Sequence, residues 1–295
     1  MDKVAGFDGR VVRGGPVALE GRDPPLEGDN TVCARAHTPQ VLLASTRTVT
    51  MSIDFEELDY QITPIGALIL RRRLERSLGV IVYEIKLGDA FLMSSLFTAS
   101  EIALARLGLA ALGRNGLDVL VGGLGLGCTA AAVLEDARVR SLHVVELLAP
   151  VIEWHREGLL PLGQTLTGDP RCHLVQGDFF ALSRSAAGFL PEAPQRRFDA
   201  ILLDIDHAPD YVLDPANESF YTHAGLTALA RHLVPGGVFG LWSKDPPNDM
   251  FKATLAEVFG KVEAHVVPFP NPYLRRDSAC TVYVAIEPKQ AGQLA

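Results

Sequence analysis

Short apolar runs separated by helical stretches dominate the chain from Leu117 onward. Helical patterns cover 129–135, 150–157, 222–233 and 249–259. The runs with strand character are 118–121, 141–146, 173–176, 200–204, 238–242, 262–267 and 281–285. This alternation is typical of a parallel sheet covered by helices. We therefore predict a doubly wound, seven-stranded, mostly parallel α/β sheet. Because no clear helix separates the last two strands, we expect one reversed edge strand.

The pattern before Leu117 predicts a different kind of structure. Short alternating or apolar pieces at 65–70, 80–86 and 91–94 predict a small N-terminal β layer. Thr98 and Glu101 have the spacing of a capping box, which predicts a helix that begins at this point.

The first 50 residues show little periodicity and are rich in Gly, Pro, Arg and Asp. We therefore predict a disordered tail at 1–50, with Met51 as a hypothetical natural start of the protein. The remaining chain is predicted to divide into a β piece at 51–97 and an α/β domain at 98–295.

Composition and net charge disfavour some classes of binding partner. The chain has 295 residues, 48% of them hydrophobic, and a formal net charge of −8. An acidic protein lacks the positive field that nucleic acids and anionic membranes require, so we expect neither as a partner. Four scattered cysteines without a CxxC pair, and no apolar stretch that resembles a signal peptide, predict a cytoplasmic protein with free thiols. No His or Cys cluster has the spacing of metal ligands.

A glycine loop between the first strand of the α/β region and its helix is the most informative motif. Gly123, Gly125 and Gly127 allow a tight turn and a close approach of the backbone to a ligand, at a helix N-terminus. A dinucleotide-binding loop has its third glycine one position later, where this chain has Cys128. The spacing favours a nucleoside site of the methyltransferase kind over a nicotinamide site, and a turn without a ligand is the alternative.

Acidic residues follow the next strands. Glu146 ends the second strand, where a carboxylate accepts hydrogen bonds from both hydroxyls of a ribose. After the third strand, Asp178 is placed to bind an adenine amino group, with the neighbouring Phe179 as an apolar cover for the ring. The alternatives are a solvated strand-end carboxylate at Glu146 and a capping turn at Asp178.

The fourth strand ends in Asp204-Ile-Asp206-His207, and such a polar cluster is costly after a buried strand unless it faces a cleft. An ammonium substrate must be held and must lose a proton before its nitrogen attacks carbon, and a carboxylate performs both tasks. We predict Asp204 as this catalytic carboxylate and Asp206 as its orienting partner. The alternative is that Asp204 caps loop amides while Asp206 is solvated.

These features together resemble the spermidine synthase (polyamine aminopropyltransferase) family over about residues 63–286. The resemblance is carried by Gly122–Gly127, Val145-Glu146, Gly177-Asp178, Leu203-Asp204, Phe220-Tyr221 and Gly236-Gly237. It implies a class I methyltransferase fold, S-adenosylmethionine or its decarboxylated form as co-substrate, an amine acceptor and a homodimer. It also implies that Glu146 binds the ribose, Asp178 lies near the adenine and Asp204 is the base that binds the amine.

The chain departs from the family pattern at substrate-reading positions. Leu126 occupies the place of an aspartate that faces the donor amine, and Ala99-Ser100-Glu101 replaces a Tyr-His-Glu sequence. His207 aligns with a second family aspartate, and a late family tyrosine corresponds to Phe269 or Tyr273. The sequence therefore predicts transfer of either an aminopropyl or a methyl group. A non-catalytic nucleoside-binding protein and, more weakly, a nicotinamide oxidoreductase are the alternatives.

Overall fold

Two β-sheets organise residues 54–289, the part of the chain that the computed structural model describes. The first sheet is antiparallel, and its four strands lie side by side in chain order. These strands are β1 (Phe55–Thr63), β2 (Gly66–Glu75), β3 (Val80–Leu87) and β4 (Ala90–Ser94). The predicted N-terminal β layer is confirmed, although β1 was not predicted because its largely exposed, acidic sequence has no apolar run.

The second sheet has seven strands, and it confirms the predicted fold class. Its strands are β5 (Leu117–Gly122), β6 (Val139–Glu146), β7 (Cys172–Gln176), β8 (Phe198–Leu203), β9 (Leu233–Ser243), β10 (Phe259–Asn271) and β11 (Arg276–Pro288). They lie in the order β10-β11-β9-β8-β5-β6-β7. The five strands from β9 to β7 are parallel, whereas β11 is antiparallel to both of its neighbours.

The prediction of a reversed edge strand is wrong in its position. The reversed strand β11 lies between β9 and β10, and the edge strand is β10. The burial of the two strands explains this order. The middle of β11 is continuously buried, which suits a strand covered on both sides, whereas β10 is largely half-exposed or exposed, which suits an edge.

Helices cover both faces of the seven-stranded sheet. They are α1 (Ala99–Ala110), α2 (Cys128–Leu134), α3 (Ala149–Arg156), α4 (Gly163–Gly168), α5 (Phe179–Arg184), a 3₁₀ helix (Pro215–Tyr221), α6 (His223–Ala230) and α7 (Asp249–Val258). The helix predicted at 222–233 ends earlier, because Leu233 already begins β9. The six-residue helices α4 and α5 are too short to give a helical period in the sequence. None of the helices within residues 54–289 is long and apolar enough to cross a bilayer.

The core lies on both sides of the seven-stranded sheet. Successive residues of β5 point to opposite faces, so Val119 and Val121 pack in one apolar cluster and Leu120 packs in the other. Strands buried on both faces leave the strand ends as the places where polar side chains reach a cleft. The predicted domain limits stay predictions, and the predicted tail at 1–50 and the hypothetical start at Met51 lie outside the described residues.

Candidate active site

A cavity of about 680 Å³ lies at the carboxyl ends of β5, β6, β7 and β8. Its opposite wall comes from the N-terminal β layer, through residues such as Ile65, Leu87 and Met93. Ligands of open parallel sheets bind outside the carboxyl ends of the strands, so the cavity is at the expected place for a substrate site.

The glycine loop forms one rim of this cavity. Gly123, Gly125 and Gly127 have φ angles of 92°, 47° and 88°, in the left-handed region that favours glycine. Gly123 and Gly125 line the cavity. Gly127 does not line it, because it precedes α2 and packs against protein, where a Cβ atom would lie 2.7 Å from Leu166 Cδ1.

His155 fixes the loop from behind. Its Nε2 lies 2.9 Å from the carbonyl oxygen of Gly125, and its side chain is completely buried. Burial lowers the pKa of His155, so the neutral ring donates its Nε2 proton to this carbonyl. The sequence gives no signal for this residue, because it lies inside an ordinary helical pattern with no polar motif around it.

Glu146 faces the cavity with its carboxylate already oriented. One oxygen accepts a hydrogen bond from the Leu124 backbone N–H at 2.9 Å, and the other accepts one from the Leu148 N–H, also at 2.9 Å. Burial raises the pKa of Glu146, while these backbone donors oppose that shift. A carboxylate oxygen accepts more than one hydrogen bond, so the group is able to accept hydrogen bonds from a pair of neighbouring hydroxyls.

Asp178 and Phe179 lie at the start of α5, and both line the cavity. The Asp178 side chain accepts a 3.0 Å hydrogen bond from the Ala181 N–H, which is the capping turn that the sequence left as an alternative. Phe179 is almost fully buried and packs edge-on against Phe220. Phe179 therefore contributes a ring to the cavity wall whose position is fixed by packing.

Asp204 lies at the end of β8 and lines the cavity. One of its carboxylate oxygens accepts a 2.7 Å hydrogen bond from the Thr129 hydroxyl of α2. Burial raises the pKa of Asp204, and the Thr129 bond lowers it by a smaller amount. The other oxygen is thus available to a ligand in a site where the carboxyl group readily holds a proton.

Glu101 is a second buried carboxyl group beside Asp204, although its spacing from Thr98 predicts a capping box. Thr98 makes no side-chain capping bond, so the predicted capping box is wrong. Glu101 instead lines the cavity and accepts a 2.9 Å hydrogen bond from Ser100, whose hydroxyl accepts one from Trp242. Burial and the charge of Asp204 raise the pKa of Glu101. The alignment of Ala99-Ser100-Glu101 with the family's Tyr-His-Glu was the signal that could have identified it.

Asp206 does not have the place predicted for it. It is 2% exposed, is absent from the cavity wall, and accepts hydrogen bonds from the Leu213 N–H, the Asn217 amide and the Tyr221 hydroxyl at 2.7, 3.1 and 2.8 Å. Its oxygens are engaged in holding the segment that follows β8 rather than in orienting Asp204. The geometry therefore contradicts the prediction of Asp206 as an orienting partner.

The other departures from the family pattern also have definite positions. Leu126 is buried and does not line the cavity, while His207 does. Burial and the neighbouring Lys244 lower the pKa of His207, which keeps its ring uncharged. Neither Phe269 nor Tyr273 lines the cavity, and both pack against Phe97, which does.

The charges around the cavity have one sign. Among the described residues, no arginine or lysine lines it. The carboxylic acids on its wall are Glu101, Glu146, Asp178, Asp204 and Asp214. Uncompensated carboxylates around a partly enclosed space attract cations, so the site is suited to a ligand that carries positive charge and no carboxylate.

Comparisons with known proteins agree with this picture, although no protein-family model matches the chain. Polyamine aminopropyltransferase 2 of Pseudomonas aeruginosa is 29% identical over 160 residues, which cover 52% of this chain and 43% of that protein. The match thus spans less than half of the length of this curated relative.

Two solved structures have the same fold. A spermidine synthase in complex with the transition-state analogue AdoDATO has a TM-score of 0.59 and 19% identity, over 78% of this chain and 73% of that one. Spermidine synthase from Thermotoga maritima has a TM-score of 0.58 and 18% identity, over 78% and 72%. These likenesses confirm the fold, and the partial sequence match supports the resemblance that the motifs indicated.

Proposed function

We propose that the protein is a spermidine synthase-like transferase that moves an aminopropyl group from decarboxylated S-adenosylmethionine to a primary amine. The observation that carries this proposal is the cavity wall, which holds five carboxylic acids and, among the described residues, no lysine or arginine. Intact S-adenosylmethionine carries a carboxylate that this wall would repel, whereas the decarboxylated donor carries only positive charges.

The donor's nucleoside would occupy the strand-end side of the cavity. Gly123 and Gly125 let the backbone approach it, and Glu146 would accept hydrogen bonds from the ribose hydroxyls. Asp178 and Phe179 would meet the adenine, the first by a hydrogen bond to its amino group and the second by contact with its ring. This arrangement would direct the sulfonium group toward Asp204.

Asp204 would bind and deprotonate the acceptor, while Glu101 would pair with the ammonium group of the donor's aminopropyl arm. An ammonium group that enters the site stabilises the ionised carboxylates, and one proton then passes from nitrogen to Asp204. The free nitrogen lone pair forms a bond to the aminopropyl carbon next to sulfur. The carbon–sulfur bond breaks, its electron pair stays on sulfur, and methylthioadenosine leaves as a neutral thioether. Rate enhancement would come chiefly from holding nitrogen, carbon and sulfur in line.

Although position 126 is a leucine, the site still has negative charge that discriminates between the two donors. The family aspartate is missing at this position, which by itself favours methyl transfer from the intact donor. Glu101 and Asp204 nevertheless supply two carboxylates on the same cavity, so the repulsion of a donor carboxylate persists. Methyl transfer is therefore the second candidate, favoured by Leu126 alone.

We extend the proposal to the setting of the enzyme. Cys128, Cys172 and Cys280 are free thiols, which suits a cytoplasmic location, while Cys33 lies outside the described residues. A homodimer is proposed from the family resemblance. The non-catalytic alternative is disfavoured because an inert nucleoside-binding protein has no need for the costly pair Asp204 and Glu101.

Product analysis tests this function. We expect incubation with decarboxylated S-adenosylmethionine and an amine to release methylthioadenosine, and intact S-adenosylmethionine to release little S-adenosylhomocysteine. Asp204→Asn should lower turnover by about 10²–10⁴-fold, because it removes the proton acceptor. Asp210→Asn is the control, since Asp210 lies in the same segment but does not line the cavity. Release of S-adenosylhomocysteine alone would assign methyl transfer, and no product from any amine would contradict catalysis.

A further inference from the structure

The wall that the N-terminal β layer presents to the cavity is apolar. Eight apolar side chains from the segment 64–93 line it, and Ser94 adds one hydroxyl at the end of β4. The eight are Pro64, Ile65, Leu68, Ile85, Leu87, Phe91, Leu92 and Met93. Among the described residues, this wall has no charged group.

Three carboxylates of the cavity have other contacts. Glu146 and Asp178 face the proposed nucleoside, and each already accepts hydrogen bonds from backbone N–H groups. Asp214 lies beyond β8 on an exposed turn, where its side chain caps the 3₁₀ helix through the Ala216 N–H. An exposed carboxylate of this kind is a weak anchor for a second charge.

The number of available carboxylates limits how many ammonium groups the acceptor can carry. The decarboxylated donor has one ammonium group on its aminopropyl arm, and the acceptor has one at its attacking nitrogen. These two groups match the two carboxylates Asp204 and Glu101. A third ammonium group at the far end of a diamine would meet the apolar wall without a counter-ion, and burial of an unpaired charge is expensive.

We infer that the acceptor is a primary amine with an apolar body, alkyl or aryl, rather than a diamine or a longer polyamine. The inference rests on the proposed aminopropyl transfer and adds the class of acceptor to it. The amine nitrogen would lie at Asp204, and the apolar body would pack against Leu87, Phe91 and Met93. Burial of an apolar body against this wall contributes to binding, whereas a charged tail at the same place would lose its hydration.

Two amines with the same five-carbon chain provide the test. With saturating decarboxylated S-adenosylmethionine, methylthioadenosine release is measured with pentylamine and with 1,5-diaminopentane, which differ only in one terminal group. We expect kcat/KM for pentylamine to be higher by at least about tenfold, because a polar end group in an apolar site loses affinity on this scale. Equal or faster turnover of the diamine would overturn the inference and leave the proposed aminopropyl transfer intact. No methylthioadenosine with either amine, or with a wider amine panel, would instead overturn the proposed function and the inference with it.

A variant with an added carboxylate tests the position of the acceptor's far end. Ile65 lines the cavity and is 43% exposed, so Ile65→Glu places a charge on the wall without burying it fully. We expect this variant to reduce the preference for pentylamine by about tenfold. Ile81→Glu is the matched control, because Ile81 lies in the same sheet, is 49% exposed and does not line the cavity. An unchanged preference in a folded Ile65→Glu protein would contradict the placement of the apolar body against this wall.

Discussion

Thr129 donates a 2.7 Å hydrogen bond from its hydroxyl to one carboxylate oxygen of Asp204. The bond joins the first turn of α2, which begins after the glycine loop, to the end of β8, which lies at the cavity. It engages one oxygen of the carboxylate and leaves the other oxygen for a ligand. It also favours the ionised form of Asp204 against the effect of burial.

Removal of the Thr129 hydroxyl should therefore move the pH dependence of turnover. In Thr129→Val the pKa of Asp204 rises further, and the acidic limb of the kcat/KM profile shifts upward by about one pH unit, since a bond to a charged group contributes about 1.5–3 kcal/mol. Thr129→Ser keeps the hydroxyl and should keep the wild-type profile. An identical profile in all three proteins would mean that Asp204 does not control the rate.

Glu101 and Asp204 together should make the free energy of unfolding depend on pH. Both pKa values are raised above those of the unfolded chain, so the folded protein binds protons more tightly at these groups. Their favourable contribution is present at low pH and is lost as the pH rises through the raised values. The free energy of unfolding should thus fall as the pH rises from about 4 to 7 and level off above that.

Glu101→Gln should flatten this decline and stabilise the protein by about 2 kcal/mol at pH 8, because it removes one buried charge and leaves Ser100 an acceptor. Chemical denaturation at several pH values measures the effect. Glu135→Gln is the control, because Glu135 is exposed and paired with Arg106 at the surface. Equal slopes for Glu101→Gln and the wild type would show that the two carboxyl groups do not share a strained site.

Asp206 should matter for stability more than for chemistry. Asp206→Asn offers only one acceptor oxygen to the three groups that now donate to it, and should cost about 2–4 kcal/mol of unfolding free energy. Tyr221→Phe removes one of these bonds and should cost about 1 kcal/mol, with turnover per folded molecule unchanged. A stable Asp206→Asn protein that has lost turnover would restore the catalytic role predicted from sequence.

Glu146 should set the affinity for the nucleoside. Glu146→Gln has one acceptor oxygen in place of two, so the Leu124 or Leu148 N–H loses its partner and the ribose loses an acceptor. The Kd for either S-adenosyl donor should rise by about 10–100-fold in calorimetry. Glu153→Gln, an exposed change on α3, is the control. An unchanged Kd for Glu146→Gln would remove this residue from the donor site.

The architecture was largely readable from the sequence, because strands buried on both faces leave continuous apolar runs and the glycine loop has a fixed spacing. The order of β10 and β11 was not readable. Pairing partners at a sheet edge depend on which strand is more completely covered, and this is decided by tertiary packing.

Most of the predicted site residues that line the cavity follow a strand or lie in the glycine loop. Glu146, Asp178 and Asp204 were predicted from their place after a strand, and all three line the cavity. Glu101 was misread because Thr98 and Glu101 satisfy a local capping pattern, and only the fold shows that Glu101 points into the cavity instead. Asp206 was misread for the opposite reason, since its three donors come from residues 213–221, too far along the chain for a local motif.

Calorimetric binding of the purified protein to decarboxylated S-adenosylmethionine and, separately, to the intact form tests the central claim most directly. The carboxylate-lined cavity predicts a Kd for the decarboxylated donor that is lower by at least about tenfold, with a preference that shrinks in Asp204→Asn because one repelling charge is gone. Tighter binding of intact S-adenosylmethionine by the wild-type protein would contradict the account.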